Sequence, residues 1–242
     1  MPFGWSELVD LFNSHLGDYG PMGVQVLKII WINILLSGDN AVVIALACRK
    51  LPPAQRTKGI LWGTAGAIVL RVVLIFFALT LLAIPFLKLA GAVLLLWIGV
   101  KLLAPEHDDA HGNITASDKL WGAVKTVIVA DLVMSVDNVL GVAAAAKGSV
   151  PLLVFGLLVS IPLVIAGSQI ILKLIERFPL IILAGGGLLG WIAGKMLVED
   201  TALQPWIAAN APWLDWAGPV AGVAIVLAGA QWHKWRAVAG AR

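Results

Sequence analysis

The sequence predicts an all-α, polytopic membrane protein: seven transmembrane helices, arranged as two inverted three-helix repeats plus a seventh helix. Three observations carry that expectation. The 242 residues are 60% hydrophobic and only 13% charged, with a mean hydropathy of +0.93, whereas a soluble domain needs about a quarter of its residues charged to cover its surface. The apolar residues come in long continuous runs, as spanning helices require, and not in the alternating segments of about ten residues that build a membrane barrel. A short polar pattern also occurs twice, Ser37-Gly38-Asp39-Asn40 and Ser135-Val136-Asp137-Asn138, each time inside an apolar run.

Spans of about 20 residues cross a bilayer, and seven are read at about 22–47, 58–84, 86–104, 120–146, 150–175, 179–198 and 212–235. Pro85 and Pro105 stop the second and third. Many of the eleven Trp residues fit an interfacial belt at span ends, among them Trp62, Trp121, Trp213 and Trp235. The expected divisions are an N-terminal extracytoplasmic segment (1–21), a first three-helix repeat (22–104) and a cytoplasmic polar loop (105–119). A second repeat (120–198) follows, and then the seventh helix with its cytoplasmic tail (199–242). Residues 1–20 are mixed in character and end in Gly17-Asp18-Tyr19-Gly20, so no cleavable signal peptide is expected.

Lys and Arg in short loops set orientation. Arg49, Lys50, Arg56 and Lys58 follow the first span, Lys173 and Arg177 flank the end of the fifth, and Lys234, Arg236 and Arg242 close the chain. Seven spans put these on one side, opposite Glu7, Asp10, Asp18, Glu199, Asp200 and Asp215. The N-terminus is therefore expected outside and the C-terminus in the cytoplasm. The net charge of +3 is spread over loops with no basic face, so no nucleic-acid partner is expected. The single Cys48 excludes an internal disulfide and a thiol cluster.

Aligning Asp39 with Asp137 places Ser37 on Ser135, Asn40 on Asn138, Asn33 on Asp131 and Arg49 on Lys147. Further along, Leu89-Ala90-Gly91 matches Leu183-Ala184-Gly185, Trp97 matches Trp191, Lys101 matches Lys195, and Gly63 falls near Gly156. Each repeat holds three spans, an odd number, so the halves insert in opposite orientations, as in many secondary transporters. The seventh span has no counterpart.

An Asp at the bilayer centre costs about 2.5–3.5 kcal/mol on insertion scales, so Asp39, Asp131 and Asp137 together cost on the order of 8–10 kcal/mol before partners are counted. Such groups face a bundle interior or a wet cavity and mark ion or proton paths. Arg71, in the middle of the second span, can neutralise one of them but not three. At 3.6 residues per turn, Asn33, Ser37 and Asn40 share a face, as do Asp131, Ser135 and Asn138, while Asp39 and Asp137 fall about 120° away. Either the helices break, which Gly38 invites and Val136 does not, or the two acids face each other between the helices. The donor set of Asn33, Ser37, Asp39, Asn40, Asp131, Ser135, Asp137 and Asn138 is all oxygen, which suits calcium, magnesium or manganese. Met134 either packs or offers a thioether that favours manganese or iron. The string Glu106-His107-Asp108-Asp109-Ala110-His111 either gathers cations or is a solvated loop, and Lys101 and Lys195 are expected to snorkel. No nucleophile and base pair occurs in a span, so no enzyme and no prosthetic group are expected.

The doubled core, SGDN and SVDN, resembles the TerC family of bacterial inner-membrane proteins, within the LysE-like transporter group. The resemblance covers nearly the whole chain. It implies a multi-pass inner-membrane protein that exports a divalent metal ion, chiefly manganese, with some members linked to tellurium resistance or to metal loading of exported proteins. It carries Asp39, Asn40, Asp137 and Asn138 over as ion ligands and Asp131 as the extra acidic position of the second half. Alternating access is the expected mechanism, with the coupling ion left open and inward proton movement its simplest form; the bilayer and a divalent cation are the expected partners, and whether the chain self-associates stays open. The competing expectations are a membrane scaffold of a stress-resistance complex and an exporter of a basic amino acid.

Overall fold

The structure, a computed structural model, describes residues 38–82, 84–104, 115–145 and 150–240. Those residues form eight helices: α1 (Gly38–Cys48), α2 (Pro53–Leu82), α3 (Leu87–Leu103), α4 (Ala116–Ala145), α5 (Val150–Arg177), α6 (Leu180–Val198), α7 (Gln204–Asn210) and α8 (Leu214–Gly240). Among the described residues, Pro53–Leu74, Leu180–Val198 and Leu214–Arg236 are long and apolar enough to cross a membrane, and α1 is a shorter apolar helix. The expected segment 1–21, the first part of the first span (22–37) and most of the polar loop lie outside the described residues.

Two element starts and one whole element differ from expectation. α2 starts at Pro53 rather than near 58, because a proline in the first turn gives up no helical hydrogen bond. α4 starts at Ala116 rather than 120. Thr115 and Asp118 cap it reciprocally: the Asp118 N–H donates to Thr115 Oγ1 at 3.3 Å and the Thr115 N–H to Asp118 Oδ2 at 3.1 Å. The short α7, with a proline at its start, was not expected at all.

Hydrophobicity does not distinguish the inner face of these helices from the outer one, and on the inner face small residues are interspersed with large ones. On α2 the buried stripe is Ile60, Gly63, Thr64, Ala67, Arg71 and Leu74, at helical spacing, while Leu61, Trp62, Val69, Val73 and Phe77 are exposed. Lipid is as apolar as leucine, so close packing of small residues holds helices together here. A Cβ on Gly63 would stand 3.0 Å from Val127, and one on Gly66 2.5 Å from Ile128, both on α4. The same logic joins α8 to α6. A Cβ on Gly190 would meet the Gly222 carbonyl oxygen at 2.5 Å, and one on Gly194 the Gly218 oxygen at 2.1 Å. Gly190/Gly194 and Gly218/Gly222 are thus a facing pair of small-xxx-small stripes.

α1 is buried on nearly every side from Asn40 to Cys48 and touches α2, α4, α5 and α6. The other contacts follow a pattern of exchange: α2 packs on α4 and α5 on α1, while α3 packs on α4 and α6 on α1. α3 and α6 also pack on each other, and α8 lies against both.

The two ends of the bundle are marked by charge. At one end Arg49 and Lys50 after α1, Arg56 on α2, Glu176 on α5 and Lys234 on α8 line a single cavity. The Arg49 guanidinium donates to the Leu102 carbonyl and the Lys50 ammonium to that of Ala104, both at 2.8 Å, which closes the C-terminus of α3. At the other end Asp200, fully buried, caps the start of α3. Its carboxylate accepts from the N–H of Phe86 at 3.2 Å, Leu89 at 3.1 Å and Ala202 at 2.9 Å. Burial pushes this carboxyl up, but the N–H groups of Ala202, Leu89, Phe86 and Lys88 outweigh it and hold it below the ordinary 3.8. Phe86 needs that anchor, since it sits in the left-handed region at φ 63°, a costly conformation for an aromatic residue.

Trp62, Trp121, Trp213 and Trp235 are all exposed. Lys101 is exposed with its ammonium 4.8 Å from the centre of the Trp97 ring, and Lys195 is exposed 3.6 Å from Glu199.

Candidate metal site

Asp131 and Ser135 stand four residues apart on α4, so their side chains lie one above the other on the face that α2 covers. Arg71, on the buried stripe of α2, reaches both. Its Nη2 donates to Asp131 Oδ1 at 2.5 Å and its Nε to Ser135 Oγ at 3.1 Å. Ser135 Oγ in turn donates to Asp131 Oδ2 at 3.1 Å. The three side chains form a closed triangle in which a buried carboxylate meets a buried guanidinium, all three residues being under 7% exposed.

α1 contributes the next groups. Asp39 lies at the start of the described part of that helix. Its Oδ1 accepts from the Asn40 N–H at 2.7 Å. Asn40 is buried. Together with Val43 and Ile44 on α1 and Val127 and Asp131 on α4, it lines a cavity of about 10 Å³. That volume is near the smallest that admits one water molecule. A side-chain amide from α1 and a carboxylate from α4 therefore border the same small space.

Of the eight expected ligands, the structure brings together Asp39, Asn40, Asp131 and Ser135. Ser37 and Asn33 lie outside the described residues, as does the 106–111 string. Asp137 and Asn138 are helical in backbone, and their side chains lie outside the described residues. α4 runs unbroken from Ala116 to Ala145, so the second polar knot contains no helix break. α1 begins at Gly38, at the edge of what is described, which leaves the corresponding question in the first knot outside it. Met134 is 2% exposed and belongs to the apolar core, the packing role of its two alternatives. Among the described residues, no group of three or more His, Cys, Asp or Glu side chains comes together as a metal cluster.

Sequence reasoning missed Asp200, read only as an acidic loop residue. The available signal was the start of α3: Ile84-Pro85-Phe86-Leu87 contains no residue able to cap a helix, so the cap had to come from elsewhere in the chain.

A family model described as the integral membrane protein TerC family matches residues 20–237. The uncharacterized membrane protein YjbE of Bacillus subtilis is 42% identical over 211 residues, which is 87% of this chain and 95% of that one. The uncharacterized membrane protein YceF of the same organism is 31% identical over 67% of this chain and 66% of its own. The inner membrane protein YoaE of Escherichia coli is 26% identical over 65% of this chain but only 34% of its own length. No solved structure matches.

Proposed function

The chain belongs to the TerC family of integral membrane proteins, and on that footing we propose that it transports a divalent metal cation, manganese first, out of the cytoplasm across the bacterial inner membrane. The observation that carries the reading is the small cavity bordered by Asn40 of one half and Asp131 of the other. With Asp39 bonded to the Asn40 N–H and Ser135 bonded to Asp131, the donors are carboxylate, amide and hydroxyl oxygens, the set that hard cations take. A space near the size of one water suits a cation stripped of its hydration shell. It weighs against a basic amino acid, which could not enter it in this conformation.

The reading includes seven spans and two inverted repeats. The exchange of contacts supports it: α2 on α4 with α5 on α1, and α3 on α4 with α6 on α1, is what a two-fold relation between α1–α3 and α4–α6 would give. Rocking of one half against the other would open the Asn40–Asp131 space to alternate sides. The reading also takes Asp137 and Asn138, from the second occurrence of the polar pattern, as ligands. A cation that approaches Asp131 has to compete with the Arg71 guanidinium, so arrival of the metal and release of the arginine are coupled. A proton on one of the carboxylates is the simplest counter-ion for the return step.

The test is cellular manganese content and manganese sensitivity in a strain that depends on this chain, compared with Asp39→Ala and Asp137→Ala. The reading expects manganese to accumulate in both variants at normal protein level. Export unchanged in both would end it.

A further inference from the structure

Nothing in the transport reading uses the large cavity at the basic end of the bundle. It measures about 830 Å³, far larger than the space beside Asp131 and in the range of pockets that enclose small organic ligands. Arg49, Lys50, Arg56 and Lys234 line it, against one carboxylate, Glu176, which is ion-paired to Arg56. Three of these cations lie within residues 49–56 and the fourth, Lys234, comes from α8, so the fold brings a distant cation onto the basic stretch that follows α1.

We infer that this cavity binds the phosphate group of an anionic phospholipid. Four positive groups facing one negative group leave the wall electropositive, and a phosphate supplies the missing charge. Arg49 and Lys50 are held in place by the Leu102 and Ala104 carbonyls, so their heads are positioned before any ligand arrives. Lys234 makes no hydrogen bond or ion pair among the described residues, and it closes the cavity from α8.

The rest of the wall is apolar, with Leu172, Ile175 and Leu183 among its residues, which suits a glycerol backbone and acyl chains better than a fully hydrated soluble anion. The cavity also lies at helix ends flanked in sequence by exposed Phe178, Trp232 and Trp235, the aromatic side chains that sit at headgroup level. Basic pockets between transmembrane helices are a known form of anionic-lipid site. A headgroup seated here bridges the end of α1, the start of α2, the turn between α5 and α6, and the end of α8.

The full chain, purified in mild detergent, is titrated with phosphatidylglycerol, phosphatidylcholine or inorganic phosphate. Retained lipid is counted by native mass spectrometry and the thermal midpoint is followed. Phosphatidylglycerol is expected to be retained and to raise the midpoint, and neither phosphatidylcholine nor inorganic phosphate to do so at the same concentration. Lys234→Gln, an exposed change that disturbs no packing, should weaken retention roughly fivefold. Lys50→Gln together with Lys234→Gln should weaken it further. Lys58→Gln, exposed at the same end but outside the cavity, should leave it unchanged. Equal retention of the two lipids overturns the proposal, as does a Lys234→Gln protein that behaves like Lys58→Gln. Stabilisation by inorganic phosphate as large as that by phosphatidylglycerol replaces the lipid with a soluble anion.

Discussion

Arg71 on α2 donates to Asp131 on α4 at 2.5 Å, a buried guanidinium on a buried carboxylate sixty residues further along the chain. In sequence, Asp131 aligns with Asn33, and in the register that sets Gly63 opposite Gly156, Arg71 stands opposite Val164. On the proposed two-repeat reading, the extra acid of the second repeat and the extra base of the first meet in one ion pair.

Breaking that pair from one side leaves an uncompensated buried charge, which costs about 3–5 kcal/mol. Arg71→Met and Asp131→Leu are each expected to lower the thermal midpoint of the purified protein sharply, and the double variant to recover most of the loss. Additive losses in the double variant would mean that the two residues do not act as a pair.

The competition between Arg71 and a cation for Asp131 has its own consequence. Arg71→Gln removes the competitor and keeps hydrogen-bonding capacity. Where this variant folds, manganese should stabilise it at lower concentration than it stabilises the parent protein. Weaker stabilisation would make the guanidinium a support of the site and not its rival.

Asp200 gives a pH prediction with a definite sign. Its folded carboxyl lies below the ordinary value, so its contribution is complete above an unfolded pKa of about 3.9 and is lost as pH falls through the folded value. Asp200→Ala should cost about 2 kcal/mol at pH 7, the upper part of the range for a lost helix cap. Between pH 7 and pH 3 the parent midpoint should fall further than that of Asp200→Asn. Parallel curves would show that the cap does not titrate.

The α6–α8 contact has no room for side chains. Gly222→Val would push a Cβ to 2.0 Å from the Gly190 oxygen, so the helices must separate. Overpacking of this kind costs about 1–3 kcal/mol and often more against backbone. Gly122→Ala, where nothing lies within 4 Å, is the matching control and should be neutral. Equal midpoints for the two variants would show that α8 is loosely docked.

Much of this was legible in the sequence because a polar residue in an apolar run stands out. Asp39, Asn40, Asp131 and Ser135 announce themselves that way, and so does Arg71 as a partner for one acid. Which acid it takes was not legible, since two chain positions sixty residues apart meet only through the α2–α4 packing. Asp200 was hidden for the same reason: the N–H groups of Phe86 and Leu89 that it caps lie more than a hundred residues away. The glycine stripes on α6 and α8 were visible as spacing, but glycine recurs throughout apolar helices, so only the facing geometry separates an interface from background. The start of α4 was a plainer miss, because Thr115 and Asp118 form a local cap whose residues were in view.

The most direct test of the central claim is manganese flux through the purified chain in liposomes, with no other protein present, for the parent and for Asp39→Ala at matched incorporation. The account predicts flux well above that of empty liposomes for the parent and flux at the empty-liposome level for Asp39→Ala. A parent chain that moves no manganese, or an Asp39→Ala chain that moves as much as the parent, would contradict it.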